Sequence, residues 1–247
     1  MTEDLIKTIL TVAGGVLGGI IAAVITARNK VHELEENYRL TQLAKEDEER
    51  AKNQLQYLNP LRVSAMDLQG RLSDIDDRIA RKDSLLIDTL KELKEKAEDT
   101  ESFVPWANGF GEFALSTLYI TLIYFARAGT IRTELPFVQL SAGDDNELLD
   151  RLSNVRRSLG GEYGIWSDLQ DSLGSYLRRP EGRGLLSYRE FCTELSKPSS
   201  FPWFNRAVRF YRDLNLKKPA ERKEMIDSLN NLAQFLAEKP KQTARGL

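Results

Sequence analysis

The chain has 247 residues, 41% hydrophobic and 29% charged, with 16 Gly, 8 Pro and a formal net charge of −2. This is the composition of a folded protein, neither disordered nor fibrous, and the length suffices to bury a core. One histidine, His32, and one cysteine, Cys192, exclude a zinc site, a disulfide framework and an iron–sulfur cluster, and leave acid–base work to carboxylates or lysine.

From Thr8 to Ala27 run 20 residues without a charge, TILTVAGGVLGGIIAAVITA. As a helix they span about 30 Å, the thickness of a bilayer's hydrocarbon core. Residues 5–27 are therefore expected to form a transmembrane helix within an anchor of residues 1–28. A cleaved signal peptide ending near Ala27 is the alternative. The run is longer than the ~7–15 apolar residues of such signals. Its leader also carries Glu3 and Asp4 in place of a basic segment. Arg28, Lys30, Arg39 and Lys45 follow the run and only Lys7 precedes it. The positive-inside rule then predicts an inner-membrane, single-pass protein with its N-terminus outside and its C-terminal domain cytoplasmic. Gly14 with Gly18, and Gly15 with Gly19, form overlapping G-x-x-x-G pairs that suit close approach of a second helix, although glycine is common in membrane helices.

Residues 29–58 are rich in helix formers and, up to Tyr57, free of Gly and Pro, and read as a charged helical stalk. Val31, Leu34 and Tyr38 begin a heptad-like stripe that Lys45 and Lys52 interrupt, which argues against a long coiled coil. Asn59-Pro60 is the first punctuation. Beyond it, Leu61, Ala65, Leu68, Leu72, Ile75 and Ile79 recur at helical spacing. A second helix is expected from Ser84, as N-cap, to Glu98, with Leu85, Leu86, Leu90, Leu93 and Ala97 inward. Phe113 to Ala126 is apolar all round, which fits a core helix buried on every side better than a second span.

Thr133 to Leu140 is the one strand-like stretch. Gly143 to Gly161 reads as an acidic first turn, an amphipathic helix and a glycine stop. Further helices are expected at Trp166 to Leu177 (weakened by Gly174), Ser187 to Leu195, Pro202 to Leu214 and Pro219 to Leu236. Tyr176 to Gly184 reads as an exposed loop, 59–238 as one helical domain and 239–247 as a disordered tail. The expected fold class is all-α.

No phosphate-binding loop, dinucleotide fingerprint, zinc-protease helix, EF-hand or kinase signature appears. Cys192 has no histidine partner and reads as a small buried residue. Asp74, Asp76 and Asp77, like Asp144 and Asp145, read as solvated or helix-capping acids rather than a metal site. No cofactor and no metal are expected, and no catalytic residue is assigned.

Charge is uneven. Residues 1–149 hold 17 basic and 25 acidic side chains, and residues 150–247 hold 18 and 12. Arg206, Arg209, Lys217, Lys218, Arg222 and Lys223 gather the excess into a candidate contact surface for anionic lipid, nucleic acid or a neighbouring protomer's acidic stalk. A solvated basic face is the plainer reading, and nucleic acid is disfavoured because no binding motif accompanies the charge.

Three stretches, Tyr57 to Ile75, Ala114 to Leu140 and Ser187 to Leu195, resemble a family of uncharacterised bacterial membrane-anchored helical proteins with no known activity. That group carries a "DLQ-x-RL" helix, here Asp67, Leu68, Gln69, Arg71 and Leu72. Its aromatic helix runs into an "I-R-x-E-x-x-F" segment, here Ile131, Arg132, Glu134 and Phe137. The resemblance implies one helical domain after the anchor. It singles out Gln69, Arg71, Arg132 and Glu134 as a structural ion pair or, alternatively, a polar binding pocket. The functional expectation is a membrane-anchored interaction or scaffold module. It would contact the bilayer through residues 5–27 and bind a protein partner or further copies of itself. A membrane-acting effector or pore component in bacterial stress or phage defence is the alternative, and a helical ligand- or nucleotide-binding domain the lesser one.

Overall fold

A computed structural model describes residues 28–49, 51–134, 143–179, 184–197 and 199–243. The membrane run and its four glycines, and the strand-like stretch from residue 135 on, lie outside the described residues. The chain divides into two units, Met1–Ala51 and Lys52–Leu247. In the first, residues 28–49 form one helix, α1, exposed along nearly its whole length. In the second, every described element is helical, and the only extended pairing among the described residues is a single bridge between Arg178 and Leu185. The fold is all-α.

The second unit starts ahead of the expected boundary at Asn59. A π turn, Gln54–Leu58, leads without a break into α2, Asn59–Ala80, and Leu58 is buried in the core. Pro60 therefore does not punctuate the chain. It sits in the first turn of α2, directly after the π turn, and the helix runs on through it. The α2 stripe is buried as its spacing predicts, with Ser64 donating to the Leu61 carbonyl beside it.

α3 (Leu85–Glu98) buries Leu86, Leu90, Leu93 and Ala97, but Leu85 is 38% exposed rather than inward. Ser84 stands at the N-cap without a side-chain capping bond, and the Asp83 carboxylate takes the Leu85 amide in its place. α4 (Thr100–Ala107) lies where no element was expected. Pro105 lies inside this short helix, where few backbone bonds are at stake.

α5 (Glu112–Glu134) is the centre of the unit. It extends eight residues past Ala126, through the first two residues of the strand-like stretch. It is long and apolar enough to cross a membrane, yet its apolar window is 67% buried against other helices. Its threonines stay satisfied by donating back along the helix, Thr117 to the Phe113 carbonyl and Thr121 to the Thr117 carbonyl. α5 packs against both α2 and α7 (Ser167–Tyr176). At the α5–α7 crossing, a Cβ on Gly174 would stand 2.6 Å from the Phe125 carbonyl carbon. Gly174 is thus a requirement of the crossing and no weakness of α7.

α6 (Asp144–Ser158) ends at Leu159, and the chain turns through Gly161, whose φ of +85° suits glycine. α8 (Tyr188–Leu195) opens with a capping box in which Ser187 and Glu190 satisfy each other's backbone amides. α9 (Phe201–Arg212) buries Phe204, Ala207, Val208, Phe210 and Tyr211. α10 (Pro219–Thr243) packs on α2 and α6, and is helical through Thr243 where a disordered tail was expected. An aromatic row ties four helices together. Tyr119 meets Phe191 at 5.5 Å between ring centroids, Phe191 meets Phe204 at 5.7 Å, and Phe204 meets Tyr176 at 4.9 Å.

Two glycines in helices should respond oppositely to one methyl group. Gly174→Ala is expected to destabilise the body by about 1–3 kcal/mol through overpacking against the α5 backbone. Gly70→Ala, on the exposed side of α2 with nothing within 4 Å, should stabilise it by about 0.5–1 kcal/mol. Urea unfolding of the two variants checks both signs.

Candidate functional site

The four polar residues singled out with the α2 and α5 motifs do not converge. Gln69 donates to Ser73 one turn along its own helix. Arg71 reaches across to α5, donating to the Phe113 carbonyl at 3.3 Å and the Thr117 hydroxyl at 3.1 Å, and its guanidinium stacks 4.5 Å from the Phe113 ring. Arg132 lies fifteen residues further along α5 than Thr117, about 22 Å away. It pairs with Asp171 of α7. Asp171 also accepts from Arg156 of α6 at 2.7 Å, so one carboxylate joins three helices. The Glu134 side chain lies outside what is described. Arg71 and Arg132 are helix clamps at opposite ends of α5. Burial pushes both guanidiniums down from the usual arginine range, partly offset by Asp74 and by Asp171 respectively.

The six-residue basic surface is also divided. Arg206 turns back to the loop before α7, donating to the carbonyls of Gly164 at 2.7 Å and Glu162 at 3.0 Å. Lys217 is buried, with its ammonium 3.2 Å from the Gly160 carbonyl. Arg222 is buried as well, donating to Asp76 of α2 at 2.5 Å and to the Lys217 carbonyl at 2.6 Å. Arg209, Lys218 and Lys223 alone remain exposed. Two of the six are therefore internal, and a third, half-buried Arg206, is turned onto backbone carbonyls. A long side chain placed on a polar helix face still reaches inward wherever a carboxylate or an uncapped carbonyl lies within its span. Asp76 belongs to the acidic triplet and serves that contact, while Asp74 pairs with Arg78 one turn away.

Asp171 and Arg156 were not flagged from the sequence, and no local signal exists for a carboxylate whose partners lie 39 and 15 residues away. The capping box was legible, since Ser187-x-x-Glu190 has the required spacing.

An apolar cavity lies elsewhere, between α4 and α8, with a volume of about 500 Å³. Phe103, Val104, Ala107 and Asn108 come from one face of α4. Tyr188, Arg189, Cys192, Thr193 and Ser196 come from one face of α8 and the residue after it. Phe103 and Ala107 are buried and Val104 is 59% exposed, so the floor is apolar and the mouth open. Asn108, Arg189 and Thr193 are exposed along the rim. Cys192 is half-buried, and burial pushes its thiol up from the usual cysteine range, the opposite of what activates a nucleophile. The Tyr188 hydroxyl is buried and raised in the same way, with the thiol close by. A second and more open cleft between α6 and α10 has a polar lining that includes Glu147, Arg151 and Asp227. There Arg151 bonds Glu147 and the Asn231 carbonyl.

Comparison with known family models, with curated proteins and with solved structures finds no match.

Two outcomes follow from this electrostatic arrangement. Asp76→Ala should cost about 1–3 kcal/mol, because it strands the buried Arg222. A third of Asp76 is exposed, which lowers the cost below that of a fully buried pair. Arg209→Ala and Lys223→Ala should each stay within about 0.5 kcal/mol, read from urea midpoints. The second outcome concerns acid. The Ser187 amide and hydroxyl and the Arg179 guanidinium hold the Glu190 carboxyl below the ordinary glutamate range. Its contribution to stability is therefore present above that range and lost as pH falls through the lowered value. Glu190→Gln should be less stable than the parent at pH 7, and the difference should close below about pH 4. Urea midpoints measured across that range check it.

Proposed function

We propose that this protein is a membrane-anchored helical module whose cytoplasmic body acts by binding rather than by catalysis. The observation that carries the reading is the juxtaposition along the chain of a 20-residue charge-free run, Thr8 to Ala27, with Arg28 and Lys30 immediately after it. That is the length of a bilayer crossing followed by the charge bias of a cytoplasmic flank.

α1 supports the interaction role. Val31, Leu34 and Tyr38 share one face and stand 54%, 68% and 68% exposed. An apolar face left uncovered on a helix is what a partner helix buries, and residues 28–49 hold enough charge to stay solvated otherwise. The two overlapping glycine pairs at 14, 15, 18 and 19 suit the same association within the bilayer. In the body, the arginines that could have formed a polar site are engaged in clamps between helices, and the apolar cleft between α4 and α8 is left as the receptive feature. The resemblance to membrane-anchored bacterial helical proteins agrees with this reading and adds no activity.

Membrane fractionation with protease protection tests the anchor, using the full chain with a C-terminal tag. The tag should pellet with membranes, be cleaved in inverted vesicles and be protected in sealed spheroplasts. A soluble tag, or one cleaved in spheroplasts, overturns the reading.

A further inference from the structure

The cleft between α4 and α8 has a definite polarity that no part of the fold explains. Its floor is formed by Phe103, Ala107 and the half-buried Cys192, and Val104 flanks its mouth. These groups exclude ions and favour an alkyl or aryl body. Among the described residues, Arg189, exposed at the rim, is the only charged one lining it, and no ion pair or hydrogen bond occupies its guanidinium. Arg179, by contrast, is held by Glu190, and Arg206 by backbone carbonyls. At about 500 Å³ the cleft is the size of a small-molecule site and too small for a helix. The α4 and α8 residues that line it recur at helical spacing, so two rigid walls hold its shape.

We propose that this cleft is a binding site for a small anionic amphiphile, a monocarboxylate whose apolar body rests on Phe103 and Ala107 and whose carboxylate meets Arg189 at the rim. An apolar floor with a single unpaired cation at its mouth matches that chemistry in both halves. A neutral hydrocarbon would leave Arg189 unused, and a polyanion would find a single cation above an apolar floor. The inference does not depend on the membrane anchor.

Cys192 is the one cysteine of the chain, so it reports occupancy directly. The full-length protein in nanodiscs of neutral lipid is treated with N-ethylmaleimide, and the alkylation rate of Cys192 is followed with decanoate or, at equal concentration, decanol. Decanoate should slow alkylation at least about tenfold at saturation, with decanol protecting more weakly. Arg189→Gln should weaken decanoate about three- to fivefold, the size of an exposed ion pair, and leave decanol unchanged. Val104→Trp, which fills the mouth from an exposed position and spares the core, should abolish protection by both. The proposal is overturned if neither compound protects Cys192, or if Arg189→Gln affects both compounds equally or neither. Protection that survives Val104→Trp places the amphiphile elsewhere and overturns it too. Failure here leaves the protease-protection result untouched, because that result reads only the anchor.

Discussion

The burial of α5 over most of its circumference is the constraint from which the rest of the body follows. Phe113, Ser116, Ile120, Ile123, Arg127 and Thr130 form a half-buried line along it, so the helix expected to be buried on every side keeps one face near the surface. A 23-residue helix this apolar cannot lie on the outside of a folded unit. It must be covered by several helices at once, and the covering helices must tolerate its polar atoms. The second demand is met within α5 itself, where each buried threonine donates to a carbonyl one turn back. The first is met unequally. α2, α3, α4 and α8 cover it with side chains, whereas α7 comes down to backbone contact at Gly174. That contact fixes the position of α7, and with it Asp171 and the ends of α5 and α6 that Asp171 holds.

Arginine does much of the joining around this centre. Arg71 fastens α2 to the start of α5, Arg132 and Arg156 share Asp171 near its end, and Arg222 fastens α10 to α2 through Asp76. Arg151 bonds the Asn231 carbonyl and lies 5.0 Å from the Phe235 ring, joining α6 to α10. Arg71, Arg151 and Arg222 each reach two acceptors, and Arg71 and Arg151 an aromatic ring as well, bridging that a planar fork suits better than a lysine's point charge. The uneven charge of the two halves is partly spent in this way, since Arg222 from the basic half meets Asp76 from the acidic half. An excess of basic residues in a stretch of sequence therefore overstates the basic surface of the folded unit.

Along the chain, Val31, Leu34 and Tyr38 of α1 are exposed, and a second unit begins at Lys52. The body from Lys52 onward has its own core, and several of its arginines join helices within it. Between α4 and α8 it leaves an apolar cleft. There the short α4, carrying Pro105, lines the cleft with Phe103 and Ala107 on its floor and Val104 at its mouth.

Helical class and most helix faces were legible without the fold, because they depend on spacing alone. Leu61 to Ile75 on α2, Phe204 to Tyr211 on α9 and the glycine stop at Gly161 lie where periodicity and backbone freedom require them. The membrane expectation rests equally on sequence, since the length of an uncharged run is a local property. Tertiary structure alone decided the points that involve distant partners. Gly174 looks like a flaw in α7 until the α5 backbone is beside it. Arg206, Lys217 and Arg222 look like a surface until the carbonyls and the carboxylate they reach are in place. Pro60 looks like a break until the first turn of α2 runs on through it. The cleft that best resembles a binding site joins residues about 80 positions apart, on two helices brought together only by their common packing on α5. Spacing along a chain determines which face of a helix is apolar, but close approach, ion pairing and enclosure are properties of two surfaces at once.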